Sequence, residues 1–333
     1  MSVATRWHYY RRILSAYLGS GPSQLTFWHE TPAINPRAFQ NNGAAASGQL
    51  REYYMLFREK ADYAGPYDSK GIPMLDYRGL IGFQYNPIAI AQWGLANHNQ
   101  YCATREDIRA QRALRAANWL CDHLEQNPHG LWVWNHHFDW DYRDTLTAPW
   151  YSGLAQGQGV SLLLRAHAHT RDNRYLQAAE RAFATLTRPI ADGGVLVEDE
   201  EKNLWIEEYL VHPPTHILNG FMWALWGVWD FWCARADAEA KEIFDLAVNT
   251  LIRNLRRYDT GYWSLYEQSG TRLRMLASPF YHRLHIVQLQ VMAQLTGQTE
   301  FAKVAERWQN YSRRRVNRTR ALIAKAAFKL LYY

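Results

Sequence analysis

The sequence predicts a mainly all-α fold, an incomplete α/α toroid of about four helical hairpins with short β-hairpins in its loops and a small N-terminal arm. Three observations predict it. Apolar segments begin near Pro87, Pro149, Pro214 and Pro279, at spacings of 62, 65 and 65 residues. An amphipathic segment follows each of them after a short polar turn, and a loop with β character separates successive pairs. Helical hairpins repeated at such a period stack so that neighbours bury a common core.

The two segments of each hairpin have different patterns. The first segments are apolar nearly all round and should line the inside of the toroid, whereas the second segments are amphipathic and should form its outer ring. Two outer segments share an aromatic residue followed by Ala-Glu-Arg, with Tyr175 four residues before Ala179 and Phe301 four residues before Ala305. Spacing by four stacks such residues on one helix face, which we expect to be the buried face.

The chain divides into three regions. Residues 1–84 are predicted to form an N-terminal arm with a small β-hairpin region, residues 85–312 the toroid, and residues 313–333 a basic amphipathic tail. Within the arm we expect an amphipathic helix over 4–18, an irregular connector over 19–50, and strand-like pieces at EYYMLF and IPMLDY.

The amino-acid composition limits the classes of molecule that the protein is expected to bind. Net charge is +6, with 15 Trp and 21 Tyr. Aromatic faces beside basic residues suit anionic sugars through stacking and carboxylate pairing, although most of these rings should pack in the core. No nucleic-acid-binding motif is present, so we expect no nucleic-acid partner.

The sequence also bears on location. Three scattered cysteines, Cys102, Cys121 and Cys233, are typical of a reducing compartment. No apolar run is long enough for a signal peptide or a spanning helix. We therefore expect a cytoplasmic protein, with any membrane contact peripheral and at the inner face.

The tail allows two interpretations. Residues 312–333 hold five Arg, two Lys and no acidic residue, interspersed with apolar side chains. Such a segment suits an amphipathic helix lying on an anionic membrane. A basic outer helix packed on the toroid is the equal alternative.

Three loop motifs carry candidate chemistry. WIEEYLVHPP contains Glu207, Glu208 and Tyr209, WSLYEQS contains Tyr266, and SPFYHRLH contains Tyr281. Carboxylates and phenols can take a proton from carbon and return it. The competing interpretation is structural, with packed tyrosine rings and a glutamate pair that favours a helix N-terminus.

Other motifs are negative or weak. No metalloprotease, CxxC, P-loop or GxSxG motif appears, and the run Gln156–Gly159 lies inside a helix pattern, so it is no dinucleotide fingerprint. His136 and His137 lack a metal-ligand pattern and are interpreted as loop residues that contact substrate.

Four runs of sequence together resemble the D-glucuronyl C5-epimerase C-terminal domain. They are WYSGLAQGQGVSLLLRAHAHTRDNRYLQAAERA, EEYLVHPPTHILNGFMWALWGVWD, YDTGYWSLYE and YHRLHIVQLQ, and YNPIAIAQWGL from Tyr85 resembles a piece found further upstream in the family. The resemblance spans about residues 80 to 312. It implies an α/α barrel acting on an anionic polysaccharide that contains glucuronate, an isomerase needing no nicotinamide, other cofactor or metal.

The resemblance also implies site residues. The family's catalytic positions fall on Glu208, Tyr209, Tyr266 and Tyr281. Inversion at C5 needs one proton carrier on each face of the ring, and Glu208 and Tyr281 are the expected pair. The predicted substrate-binding residues are Tyr85, Trp150, Tyr151, Gln156, Asn219, His282, Arg283, His285, Arg272 and Arg274. Of these, His282, Arg283 and His285 are candidates for neutralising the substrate carboxylate.

Three departures from the family pattern matter. Leu210 stands where the family often has Pro, and Ser269 stands where an Arg follows the SLYE-type tyrosine, so Arg272 or Arg274 would have to replace that Arg. Only residues 98–148 separate the YNPIAIAQWGL-like piece from the later helices. The chain therefore resembles a minimal version of the family.

Three alternatives stay open. A lyase in a similar toroid shares proton removal at C5 but expels the C4 substituent. A glycosidase needs two carboxylates across the scissile bond; Glu207 and Glu208 are adjacent and cannot both serve, but Asp139, Asp141 or Asp144 could be the partner. The third is a non-catalytic polysaccharide-binding scaffold. The sequence also leaves open whether the chain forms a homodimer.

Overall fold

Four helical hairpins make up most of the structure, a computed structural model that describes residues 27–28, 30–39, 50–77 and 79–332. The inner helices are α1 (Pro87–Thr104), α3 (Gly153–Thr170), α5 (Leu218–Arg235) and α7 (Pro279–Thr296). The outer helices are α2 (Asp107–Asp122), α4 (Asn173–Phe183), α6 (Ala238–Asn254) and α8 (Thr299–Arg313). A further helix, α9 (Arg315–Tyr332), follows. The helix predicted for 4–18 lies outside the described residues.

Each inner helix contacts the outer helix that follows it and the next inner helix along the chain. This arrangement is a curved row of four hairpins, and it confirms the predicted incomplete α/α toroid. The outer helices turn their apolar stripe inward: Tyr175, Ala179, Phe301 and Ala305 are all buried. The pattern that predicted the outer ring is therefore the pattern that packs it.

Glycine sets the closest approach of two inner helices. A Cβ at Gly227 of α5 would lie 2.3 Å from the carbonyl oxygen of Gly157 of α3, and a Cβ at Gly157 would lie 2.5 Å from the Cα of Ala224. Larger side chains would force the two backbones apart. The Gln-Gly-Gln-Gly run is thus a helix-packing feature.

Short antiparallel hairpins precede three of the inner helices. They pair β1 (Leu75–Asp76) with β2 (Phe83–Gln84), β3 (Glu125–Gln126) with β4 (Trp132–Val133), β5 (Trp140–Asp141) with β6 (Thr145–Leu146), and β7 (Leu196–Glu198) with β8 (Leu204–Ile206). Before α7 the chain forms isolated bridges, Asp259 with Ser264 and Leu265 with Leu276. All these loops end where an inner helix begins, so they gather at one end of the toroid.

Short helical turns complete the fold. They are the α-helical turn Arg58–Ala61 and the 3-10 turns Pro36–Phe39, Ala184–Thr187, Ile190–Asp192 and Leu255–Tyr258.

Two predicted helix starts were wrong. Helices α3 and α5 begin at Gly153 and Leu218, four residues after the prolines expected to open them. Trp150 instead forms an antiparallel bridge with His136, which requires extended backbone. The backbone N–H of Leu218 donates to the Tyr266 carbonyl at 3.1 Å, which ties the start of α5 to a neighbouring loop. Pro279, in contrast, does open α7.

The expected strand at EYYMLF is also wrong in most of its length. Only Met55 pairs, in a bridge with Ile34. The Asn99 side chain on α1 takes up the neighbouring backbone groups, accepting from Tyr53 N at 2.6 Å and donating to the Met55 carbonyl at 2.7 Å. The segment is therefore fixed to α1 by a side chain in place of a sheet.

A buried ion pair joins this segment to the toroid. Arg165 of α3 and Asp230 of α5 lie 2.6 Å apart with side chains 1% and 0% exposed. Arg165 also donates to the Arg51 carbonyl, and Tyr54 donates to Asp230 at 2.5 Å. The segment that contains Arg51 and Tyr54 is thus attached to α3 and α5 through a buried ion pair in which both charges have partners.

Helix α9 lies against the toroid along one stripe of residues: Asn317, Ala321, Lys325 and Phe328 are buried. Within the described residues, no helix has both the length and the apolar character needed to cross a bilayer.

Candidate active site

The two adjacent glutamates after β8 point to different partners. The Glu207 carboxylate accepts hydrogen bonds from His216, at 3.1 Å from its backbone N and 2.5 Å from Nδ1. The Glu208 carboxylate turns instead toward the first turn of α5, where Asn219 Nδ2 lies 3.5 Å from Oε2. Glu207 thus fixes the loop, while the Glu208 carboxylate faces the start of α5.

Glu208 sits in an environment that favours its neutral form. Its side chain is 4% exposed. The pKa of Glu208 is raised to about 8, mainly by burial; the hydrogen bond from the Tyr209 phenol lowers it, and the nearby charge of Glu207 raises it. A carboxyl with such a pKa can exchange a proton near neutral pH.

Two more phenols complete the centre. Tyr281 lies in the first turn of α7, where Ser278 Oγ accepts from its backbone N at 3.2 Å. Its ring meets that of Tyr266 edge to face at 4.8 Å between centroids. Burial, and then the charge of Glu208, raise the pKa of Tyr281, while the hydrogen bond with Tyr266 lowers it. The four predicted catalytic residues therefore lie together, as two bonded pairs that interact with each other.

Aromatic rings form one wall of the site. Trp150 meets Tyr209 edge to face at 5.7 Å, and Tyr142 from the β5–β6 hairpin lies 4.7 Å from Tyr209. His136 stacks on Trp150 at 3.8 Å. Burial lowers the pKa of His136 to about 3, so this ring is neutral and supports Trp150 from behind. His137 is exposed and pairs with Glu125 at 3.2 Å.

Helix α9 also contacts the site. Phe328 packs in one apolar cluster with Tyr266, Met275 and Ile217. Lys325 donates to the Leu276 carbonyl at 2.8 Å, and its Nζ lies 5.8 Å from the centroid of the Tyr266 ring. Burial lowers the pKa of Lys325 to about 8, against the charge of Glu267, which raises it.

Lys325, Phe328 and Tyr142 were not among the predicted site residues. Lys325 and Phe328 were placed in the tail, although their spacing after Ala321 marks a helix stripe that such reasoning could have found. Tyr142 stands in a loop before an inner helix, as the assigned tyrosines do. That position was the available signal.

The predicted substrate-binding residues fall into two groups, of which the first lies at or near this centre. Trp150 and Asn219 contact Tyr209 and Glu208. Arg272 and Arg274 are exposed on the loop between Tyr266 and Met275, whose backbones are hydrogen-bonded. Arg283 is exposed on α7 two residues after Tyr281.

The second group must be corrected. Ser264 Oγ lies 2.8 Å from His282 Nδ1 and 3.0 Å from His285 Nδ1, deep in the core. Burial lowers the pKa of His282 to about 4 and that of His285 well below its ordinary value, so neither imidazole carries the positive charge needed to neutralise a carboxylate.

Three other predicted contacts serve the fold. The Gln156 amide bonds to the backbone of Trp132, Trp134 and Ala182. The Tyr151 hydroxyl donates to the Gly193 carbonyl at 2.8 Å, and that of Tyr85 donates to Asp68 at 2.7 Å. Their hydrogen bonds hold loops together.

The aspartates considered as partners of Glu208 bond to local atoms. Asp139 accepts from Ala148 N at 2.8 Å, and Asp141 accepts from Thr145 at 2.9 Å. Asp144 pairs with Arg143. Asp141 and Asp144 flank Tyr142, so their hairpin borders the site. Among the described residues, no three His, Cys, Asp or Glu side chains are grouped to hold a metal ion.

Comparisons with known proteins give one family and several partial likenesses. The family described as D-glucuronyl C5-epimerase C-terminus matches residues 126–310. A D-glucuronyl C5-epimerase from Caenorhabditis elegans is 31% identical over 229 residues, which cover 64% of this chain and 37% of that protein. An uncharacterized protein of Methanocaldococcus jannaschii is 29% identical over 53% of this chain and 56% of its own length. The chain thus spans about a third to a half of these relatives.

A solved structure named UGL_D88N/dGlcA-Glc-Rha-Glc superposes with a TM-score of 0.48 at 13% identity, covering 67% of this chain and 61% of that one.

Proposed function

Because the chain belongs to the D-glucuronyl C5-epimerase C-terminal family, we propose that it inverts C5 of glucuronate units within an anionic, heparosan-like polysaccharide and so forms iduronate. One observation carries the proposal: the charge of Glu208 acts on Tyr281, and each of the two residues is hydrogen-bonded to a further phenol. Epimerisation needs two proton carriers, one for each face of the sugar ring.

The reaction begins with removal of the C5 proton next to the substrate carboxylate. In the direction from glucuronate, ionised Glu208 takes this proton and the Tyr281 phenol gives its own proton to the opposite face. The opposite assignment requires Tyr281 to start as a phenolate. Its raised pKa disfavours that form.

Only part of the protein starts in the productive state. With a pKa of about 8, Glu208 is ionised in roughly one molecule in ten at pH 7. After turnover Glu208 holds a proton and Tyr281 lacks one. Tyr209, bonded to Glu208, and Tyr266, bonded to Tyr281, offer hydroxyl groups through which that proton returns.

The enolate-like intermediate must be held by hydrogen-bond donors and positive charge. Tyr209, Tyr266 and the Asn219 amide are the donors at the site, and Lys325 is the cation on the far side of Tyr266. We assign carboxylate binding to these groups, with Arg272 and Arg274 on the exposed loop contacting neighbouring units of the polymer.

Substrate entry requires a wall to move. Glu208 and Tyr266 are only 4% and 7% exposed, so a pyranose ring cannot bring its C5 atom into contact with them in this arrangement. Tyr142 on its hairpin contacts the Tyr209 ring, and Phe328 on α9 packs in the cluster that contains Tyr266. Displacement of either one opens the centre.

The test is incubation with N-acetyl and N-sulfo heparosan-type polymers in heavy water. We expect deuterium at C5 and new iduronate with no shortening of the chain. Glu208→Gln and Tyr281→Phe should each lower the exchange rate by about two orders of magnitude or more, because each removes a proton carrier. Tyr101→Phe, a change at a partly buried tyrosine of α1 that contacts His169, is the matched control and should exchange normally.

Each alternative gives a different result in the same experiment. A lyase produces an unsaturated uronate that absorbs in the ultraviolet, and a glycosidase produces new reducing ends. A non-catalytic scaffold binds the polymer without incorporating deuterium. Any of these results refutes the epimerase proposal, and normal exchange by both single variants refutes the assignment of Glu208 and Tyr281.

A further inference from the structure

Helix α9 has two opposite faces. Its inner stripe is buried against the toroid, while Val316, Ile323, Leu330 and Leu331 are 69%, 63%, 65% and 70% exposed. Val316, Ile323 and Leu330 follow one another at intervals of seven residues, which places them on one line along the helix. The line lies on the side of α9 away from Phe328, so the packing of α9 on the toroid leaves it uncovered.

Positive charge is concentrated on the same segment as this apolar line. Arg313, Arg314, Arg315, Arg318 and Arg320 are exposed at the end of α8 and along α9. No acidic residue occurs in 312–333, so nothing on this segment offsets their charge.

We propose that the outer face of α9 lies on the surface of an anionic lipid bilayer. Apolar side chains at the centre of the face enter the boundary between headgroups and acyl chains, and the arginines beside them pair with lipid phosphates. The combination of an apolar line with neighbouring arginines favours an anionic bilayer over the other possible partners of this face. A second copy docking by the same face would bring two sets of arginines together, and a soluble polyanion would leave the apolar line exposed to water.

Helix α9 then lies between the bilayer and the candidate active site. Its inner face contacts Tyr266 through Phe328 and Lys325, so a bilayer bound to its outer face lies close to one wall of the site. Surface binding is a property of the exposed face alone. It therefore does not depend on whether the site epimerises glucuronate.

Vesicle flotation with the full chain tests this inference. Wild-type protein should partition at least about tenfold more strongly to vesicles of phosphatidylcholine and phosphatidylglycerol than to phosphatidylcholine alone, because each basic residue adds to the attraction. Added salt should weaken the binding. The double variant Ile323→Asp/Leu330→Asp and the triple variant Arg313→Gln/Arg314→Gln/Arg318→Gln should each lose most of it.

The matched control is Ile108→Asp/Leu246→Asp, which changes two apolar residues of the outer helices that are 47% and 48% exposed. It should float like the wild type, and far-ultraviolet circular dichroism should confirm that all variants are folded. Equal binding to neutral and anionic vesicles would overturn the proposal. So would unimpaired flotation of Ile323→Asp/Leu330→Asp, or the finding by sedimentation that the apolar line joins two copies and does not bind lipid.

Discussion

The Glu208 carboxylate lies directly against Gly220 of helix α5, where a Cβ would stand 2.1 Å from Oε2. Gly220→Ala should therefore push Glu208 away from Tyr281 and lower the C5 exchange rate by about two orders of magnitude, the usual contribution of a positioned proton carrier. The measurement is deuterium incorporation per folded molecule, with the folded fraction taken from circular dichroism.

A second glycine separates this effect from general overpacking. Gly94→Ala in α1 would bring a Cβ to 2.3 Å from Leu162 and 2.8 Å from Ala116, with no contact to the site. Both variants should lose stability, by roughly 1–3 kcal/mol. Only Gly220→Ala should lose exchange in the molecules that remain folded, and equal rates in the two would contradict the placement of Glu208.

The pKa of Glu208 predicts the acidic limb of the activity profile. Proton removal needs the carboxylate, and burial raises its pKa to about 8. Below that value kcat/KM should rise about tenfold per pH unit, because this ratio reports groups of the free enzyme. In Glu208→Asp, kcat/KM should still rise with pH on the acidic side, but from a lower rate. A flat profile from pH 6 to 8 would exclude Glu208 as the base.

The same group predicts a dependence of stability on pH. Glu208 has a pKa of about 8 in the folded protein and about 4.5 when unfolded, so its contribution to stability is present below 4.5 and is lost as pH rises toward 8. Glu208→Gln should abolish this loss, which is up to about 5 kcal/mol. Urea unfolding at pH 5 and pH 9 should show the variant more stable than the wild type only at pH 9.

The buried pair of Arg165 and Asp230 should support the fold without entering the chemistry. Asp230→Asn leaves the Arg165 charge buried, with a side chain 1% exposed, and should lower the free energy of unfolding by about 3 kcal/mol or more. Asp245→Asn breaks a surface pair with Lys241, whose aspartate is 54% exposed, and should cost under about 1 kcal/mol. Similar losses in urea unfolding would contradict this ranking.

Local patterns explain how much of the fold could be predicted. The amphipathic pattern and the proline before each inner helix are local features of each hairpin, so the buried stripe at Tyr175 and Ala179 could be predicted from the sequence. The starts of α3 and α5 could not be predicted, because they depend on hydrogen bonds to distant loops, such as the bond from Leu218 N to the Tyr266 carbonyl.

The site shows the same division. Glu208, Tyr209, Tyr266 and Tyr281 could be named because continuous motifs carry them, and their roles stay predictions. Burial could not be read from those motifs. Ser264 and the core around Trp308 surround His282 and keep it neutral, and α9 brings Lys325 to Tyr266 from a segment 59 residues further along the sequence.

Lys325 predicts the alkaline limb of the activity profile. Its Nζ lies 5.8 Å from the Tyr266 ring centroid, and burial lowers its pKa to about 8, so its charge is lost over the same pH range in which Glu208 becomes ionised. The profile of kcat/KM should therefore be bell-shaped with a maximum near pH 8, where both groups hold the required form in part of the molecules.

Lys325→Met should lower the maximum about tenfold, mainly through KM, and remove the alkaline fall while the acidic limb stays. The variant removes a charge that attracts the buried Glu267 carboxylate and a hydrogen bond to the Leu276 carbonyl, so it should also lose stability, and rates are taken per folded molecule. Lys303→Met on α8, where the lysine side chain is 67% exposed, should leave the whole profile unchanged. An alkaline limb that survives in Lys325→Met would assign the fall to another group and leave Lys325 a structural role in holding α9 on the toroid.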